Sequence, residues 1–295
     1  VKKAVVLFIS LIMVFSLAGC SGETDKTVVV GGKDFTEQDI LVQLVSELIE
    51  ANTDIKVDRK AYLGGSSVVA ESIETGDIDI YVEYTGTALM SVLGEEKMND
   101  PDEVYDLVKE RYEKEKNIKW LNPLGFNNTF AITMKKSKAN EMGIKTLTDL
   151  GKKSNELLFA STQEFLERAD GYEVFKEVYN VNFKDVKGMD PGLCYTAVKE
   201  DEVDVNVSFA TDGRIPAFDL VVLEDDKNFF PPYYASTLVR IDTLEKYPEL
   251  EEVLNSLVGK ITDDEMAKLN AQVAIDQKDP VVVAKDWLKE NGLIE

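Results

Sequence analysis

The 295-residue chain has no histidine and only two cysteines, Cys20 and Cys194. Without an imidazole there is no Ser-His-Asp or Cys-His arrangement, no HExxH metal site and no histidine switch near neutral pH. Structural zinc is excluded too, because it takes several Cys or His ligands at set spacings. Positive charge is scarce: 33 Lys and Arg stand against 55 Asp and Glu, a formal net charge of -22. Nucleic acid and anionic lipid headgroups attract basic faces, so neither is expected as a ligand of so acidic a chain. Apolar residues make up 44% of the chain and aromatics 9%, enough for an ordinary globular core, so the charge does not signal disorder. The length points to roughly one or two domains.

The first twenty residues form a separate device. Lys2 and Lys3 precede an apolar run from Ala4 to Phe15, interrupted by Ser10 and too short to span a bilayer comfortably, so residues 1–19 read as a secretory signal. The run closes on Leu17-Ala18-Gly19-Cys20 and gives way to polar Ser21 to Lys26, which resembles a bacterial lipobox. That resemblance implies cleavage after Gly19 and a diacylglycerol thioether on Cys20. Residues 20–26 would then be lipidated cysteine and linker, holding the protein on the outer face of the cytoplasmic membrane. Each buried acyl methylene contributes about 0.8 kcal/mol, so two or three chains hold firmly. Cys194 is left without an internal disulfide partner, and its place at the start of an apolar-periodic segment reads as a buried core thiol.

Beyond residue 26 there is no transmembrane run, repeat or low-complexity tract, and strand and helix patterns alternate. Val28-Val29-Val30 ends at Gly31-Gly32, after which Thr36 is placed to cap a helix with Phe35 and Ile40 as a hydrophobic staple and Leu41, Leu44, Val45, Leu48 and Ile49 on one face. Segments 55–61, 78–82, 118–121, 129–134, 156–160, 203–208, 219–223 and 235–240 read as strands. Gly64-Gly65-Ser66-Ser67 makes a turn into a helix, and 102–115, 147–152, 171–180, 191–200, 242–257, 262–273 and 280–291 are helical. The alternation predicts an α/β fold with mostly parallel sheets, in which ligands sit beyond the carboxyl ends of strands.

Aromatic and single cationic residues recur at those ends. Lys33, Phe35 and Gln38 follow the first strand, Tyr84 and Thr87 the strand at 78–82, Phe165 and Arg168 the strand at 156–160, and Phe209 closes the strand at 203–208. A quaternary ammonium cannot donate a hydrogen bond, and ring faces carry negative potential, so a cage of rings is a natural way to hold it. Lys33 and Arg168 suit a carboxylate at the other end of a ligand. Taken singly, each ring is better explained as core packing, so spacing alone does not establish a cage. Asp79 and Glu83 lie too far apart along one strand to converge and read as solvent-facing or capping groups. Arg168 has a competing use in a salt bridge to Asp170 or Asp190.

The ordered set Gly32-Lys33-Asp34-Phe35-Thr36-Glu37-Gln38, Tyr81-Val82-Glu83-Tyr84-Thr85-Gly86-Thr87, Asn127-Asn128-Thr129-Phe130, Met189-Asp190-Pro191-Gly192-Leu193, Phe209-Ala210-Thr211-Asp212-Gly213 and Phe230-Pro231-Pro232-Tyr233 resembles the substrate-binding lipoproteins of osmoprotectant ABC importers, the glycine betaine/carnitine/choline-binding family. The likeness spans residues 27 to 295. It implies a two-lobed periplasmic-binding-protein fold of the second type, with residues 27–129 plus 234–295 as one lobe and 130–233 as the other. The chain would cross between lobes at Thr129–Met134 and Tyr233–Arg240, with the ligand in the cleft. It further implies an aromatic cage of Tyr84, Phe130, Phe209 and Tyr233, and a carboxylate clamp of Lys33, Thr87 and Arg168 with Gln38 as a further polar partner. Asn128 falls where a relative turns a backbone carbonyl to the ammonium methyl groups.

Two cage positions that are commonly Tyr in glycine-betaine binders are Phe130 and Phe209 here. A benzene face still attracts a cation, but two hydroxyls are lost, which keeps carnitine, choline, a histidine-derived betaine such as ergothioneine and bulkier betaines open as ligands. Choline has no carboxylate and would leave a cationic clamp unpaired, which counts against it as the sole ligand. The expected protein is therefore a binding protein and not an enzyme, with no cofactor and no metal, delivering its solute to an ABC permease whose ATPase subunit hydrolyses ATP. An amino-acid binder and a sensory lipoprotein on the same fold are the alternatives.

Overall fold

The structure, a computed structural model, describes residues 26–295; the signal segment, the lipobox and Cys20 lie outside the described residues. Ten strands form two five-stranded sheets. The strands are β1 (Thr27–Gly31), β2 (Lys56–Lys60), β3 (Ile80–Tyr84), β4 (Ile118–Asn127), β5 (Phe130–Lys135), β6 (Leu158–Thr162), β7 (Asp185–Met189), β8 (Val205–Phe209), β9 (Leu220–Val222) and β10 (Tyr234–Arg240). The first sheet has the order β2-β1-β3-β10-β4 and the second β7-β6-β8-β5-β9.

Both sheets are mixed, which corrects the expectation of mostly parallel ones. β1 pairs in parallel with β2 and β3, and β6 with β7 and β8, whereas β10 runs antiparallel to β3 and β4, and β5 to β8 and β9. The antiparallel strands are those that follow a passage between sheets. The chain leaves the first sheet at Asn127, enters the second at Phe130, and returns ahead of Tyr234. Asn128 N–H donates to the Tyr233 carbonyl at 3.1 Å, so the two passages lie side by side.

Helix Thr36–Asn52 organises the first sheet's outer layer. Its apolar stripe of Leu41, Leu44, Val45, Leu48 and Ile49 is buried, but so are Glu37, Gln38, Asp39, Gln43, Ser46 and Glu47. The reason is that helices Glu249–Asn255, Asp263–Ala274 and Pro280–Glu290 pack over it, and a helix covered on all sides carries even its polar face inward. The helix begins without a side-chain cap: Phe35 occupies the N-cap position and Thr36 is its first residue, contrary to the expected Thr36 cap. The periodic segment 242–257 is two helices, Ile241–Lys246 and Glu249–Asn255, because Pro248 interrupts it. Among the described residues no helix is long and apolar enough to cross a membrane.

Cys194 is buried among Ala160, Tyr195, Ala197 and Val198, as its sequence setting indicates, and burial pushes its thiol up to about 12.

Candidate ligand-binding site

A small, nearly closed cavity lies between the sheets, at the carboxyl ends of β1, β3 and β8 and beside the two passages. The first sheet contributes Lys33 and Phe35 from the turn after β1, Tyr84 from the end of β3, and Thr87 from the helical turn that follows; Ser66 opens the helix Ser66–Thr75 that follows β2. The second sheet contributes Phe130 from the start of β5, Phe209 from the end of β8, and Glu164 and Arg168 from helix Gln163–Glu167 and its C-cap. Asn128 and Tyr233 come from the passages themselves.

Five rings run along the wall in an unbroken series. Tyr84 and Phe35 have centroids 6.4 Å apart, Phe35 and Phe209 4.8 Å, Phe209 and Phe130 5.5 Å, and Phe130 meets Tyr233 edge-on at 5.7 Å and 87°. All four cage residues read from the sequence therefore share one cavity, and Phe35, first read as part of a helix staple, is a fifth. Burial raises the Tyr84 and Tyr233 phenols above their ordinary range, so both rings stay neutral at physiological pH. Glycine at position 86 is a steric requirement. A Cβ there would stand 2.7 Å from the Pro232 carbonyl oxygen and 2.9 Å from the Tyr233 ring, so its absence lets Tyr233 close over the cavity.

The polar end is more self-contained than the sequence indicates. Lys33 is ion-paired with Glu83, whose side chain is 0% exposed. This corrects the reading of Glu83 as a solvent-facing or capping group: the last turns of β3 carry it inward, where Tyr81 Oη also donates to it at 3.1 Å. Arg168 grips both oxygens of Asp170, with Nε to Oδ1 at 2.8 Å and Nη2 to Oδ2 at 2.5 Å, while Nη1 reaches Thr87 Oγ1 at 3.4 Å. It thus combines the salt bridge and the cavity position that the sequence presents as competitors. Each cation also faces a ring, Lys33 Nζ 5.1 Å from the Tyr84 centroid and Arg168 Cζ 5.4 Å from that of Phe130.

Gln38 does not line the cavity. Its Nε2 donates to the Val82 carbonyl and to Tyr84 Oη, both at 3.0 Å, and its Oε1 accepts the Lys33 N–H at 3.2 Å, so it positions two cavity residues from behind. Glu37, absent from the sequence reading of the site, is the larger hub. Its Oε1 accepts from Tyr84 Oη at 2.7 Å and Asn128 Nδ2 at 2.8 Å, and its Oε2 from Asn270 Nδ2 at 2.8 Å and from the Thr211 hydroxyl. Burial raises its pKa, and the four donors only partly offset that rise. Asn128 faces the cavity while its amide is committed to Glu37 and to the Thr211 N–H.

Glu164 and Ser66 also line the cavity, outside the expected cage and clamp. Glu164 occupies the same post-strand position as the other site residues, but a carboxylate there does not fit a clamp for an anionic group, which hid it. Among the described residues no cluster of three or more His, Cys, Asp or Glu is arranged to hold a metal ion.

Residues 26–290 match the family model described as the substrate binding domain of ABC-type glycine betaine transport system. The chain is 37% identical to the carnitine transport binding protein OpuCC of Listeria monocytogenes, over 100% of this chain and 98% of that protein. It is 36% identical to the ergothioneine transport permease/ergothioneine binding protein EgtU of Helicobacter pylori over 98% of this chain, which spans about half, 52%, of that longer protein. A crystal structure described as a glycine betaine/carnitine/choline ABC transporter superposes with a TM-score of 0.75 at 34% identity, covering 92% of this chain and 100% of the other. The chain therefore belongs to the family of substrate-binding domains of ABC-type glycine betaine transport systems, solute-binding proteins and not enzymes.

Proposed function

We propose that this chain captures a quaternary ammonium solute in the cavity between its sheets and presents it to an ABC permease. The observation that carries the reading is the series of rings from Tyr84 to Tyr233, drawn from both sheets and from the passages between them. In our reading the lobes are residues 27–129 plus 234–295 and residues 130–233, and closing them brings Phe130 and Phe209 over a ligand resting on Tyr84. Ligand binding and closure are then one equilibrium, because only the closed state offers the whole cage. Cys20 anchors the protein by lipid to the outer face of the cytoplasmic membrane, and a partner ATPase drives import.

Carnitine, glycine betaine, choline and ergothioneine all meet the ring requirement. Pairing within the protein removes the argument against choline, since Lys33 and Arg168 have Glu83 and Asp170 as counter-charges whether or not a ligand brings a carboxylate. Relatives named for carnitine and for ergothioneine, at 37% and 36% identity, keep both in view. Calorimetric titration with these four compounds tests the proposal: saturable binding of at least one supports it, and no heat with any of them removes it.

A further inference from the structure

The polar end of the cavity holds more carboxylate than its cations require. Glu83 answers Lys33 and Asp170 answers Arg168. Glu164 is a third carboxylate and, unlike Glu83 and Asp170, lines the cavity itself, where no third cation stands among the described residues. Its contacts are long: Oε1 takes the Ser66 N–H at 3.4 Å and lies 3.5 Å from Arg168 Nη1, and the Ser66 hydroxyl also supports the carboxylate. Burial opposes its ionisation, but Lys33, Arg168 and the Ser66 hydroxyl and N–H together outweigh burial and hold the carboxyl below its ordinary range. Glu164 is thus an acceptor-only group in the cavity wall.

Building on the quaternary ammonium reading above, we propose that Glu164 selects ligands bearing a hydroxyl or ring N–H at the end away from the ammonium, and disfavours ligands that present only acceptor oxygens there. Its side chain is 28% exposed and therefore hydrated. A ligand with a donor replaces that water. A ligand ending in a bare carboxylate strips the water, gives nothing back and sets like charges together. Sites that hydrogen-bond a ligand group discriminate strongly against analogues lacking it, because the buried partner is left unpaired. Choline carries only the donor, glycine betaine only the acceptors, and carnitine both, with its carboxylate free to face Thr87 and Arg168.

The test is calorimetry with choline and glycine betaine on the wild-type protein and on Glu164→Gln, which keeps the side chain's size and adds an amide donor. The wild type is expected to bind choline at least tenfold more tightly than glycine betaine, and the ratio is expected to fall at least tenfold in Glu164→Gln. A wild type that prefers glycine betaine overturns the inference while leaving the quaternary ammonium reading intact, as does an unchanged ratio in Glu164→Gln. Should that variant fold poorly, Glu164→Ala serves in its place with the same two outcomes. Failure of the wild type to bind either compound, or carnitine or ergothioneine, overturns the underlying reading and this inference with it.

Discussion

Lys33 and Glu83 form an ion pair almost sealed from solvent, their side chains 3% and 0% exposed, beneath the ring of Tyr84. Breaking a buried pair leaves one charge stranded, whereas replacing both partners does not. Glu83→Gln is therefore expected to lower stability by about 3–5 kcal/mol, and Lys33→Met combined with Glu83→Gln to recover a large part of the loss. Urea denaturation of the two single variants and the double measures this directly; additive losses would contradict the pairing.

The rings are expected to act as a set. Tyr84→Ala, Phe209→Ala and Tyr233→Ala should each weaken binding of the preferred ligand by about 1 kcal/mol or more, as expected for ring faces holding a desolvated cation. Phe209→Leu, which keeps bulk and loses the π face, should weaken it nearly as much. Affinity unchanged in all of these would show that the rings are packing and nothing more.

Gly86→Ala probes the approach of Tyr233. The added methyl meets a backbone carbonyl at 2.7 Å, which cannot swing away as a side chain can. A stability loss of about 1–3 kcal/mol, typical of overpacking, is expected together with weaker ligand binding. Wild-type behaviour would mean that Pro232 and Tyr233 shift freely.

Much of this site was legible in the sequence, and what escaped has a common cause. Rings and cations that end strands are visible because α/β folds place ligands there, and Tyr84, Phe130, Phe209, Tyr233, Lys33, Thr87, Asn128 and Arg168 all reach the cavity. Glu37, Glu83 and Glu164 escaped because in a chain so rich in acids an individual carboxylate carries no signal. The burial of Glu37 in particular depends on helices that cover Thr36–Asn52 from the far end of the chain. Edge strand β7 was missed because Asp185–Met189 is short, half polar and largely exposed, with no alternation to read. Many other acids serve locally: Asp100 and Asp279 cap helices that open with proline, and Thr262 and Glu265 form a capping box.

The Glu37 hub gives a pH signature. Its folded pKa is raised above the ordinary 4.5, so just above that value the folded state keeps a proton that the unfolded chain has released. The group's contribution to stability is thus fully present below about 4.5 and declines as pH rises through the folded value. Glu37→Gln removes this decline. Denaturation at several pH values from about 4.5 upward should show the variant gaining on the wild type as pH rises; a constant difference would contradict it.

Cys194 is expected to be inert. In a Cys20→Ser protein, where it is the only thiol, a disulfide reagent at neutral pH should label nothing in the native state and one group after denaturation, since the thiol is 0% exposed with its pKa pushed up to about 12. Rapid native labelling would show that the segment around it opens.

The central claim is that a trimethylammonium group sits among the faces of Tyr84, Phe35, Phe209, Phe130 and Tyr233. Proton NMR of the bound ligand tests it most directly, because methyl protons over aromatic faces are shielded by the rings. The account predicts an upfield shift of the trimethylammonium resonance on binding and nuclear Overhauser contacts to these rings, both lost in Tyr84→Ala combined with Tyr233→Ala. A ligand that binds with its methyl resonance unshifted and without contacts to the rings would contradict it.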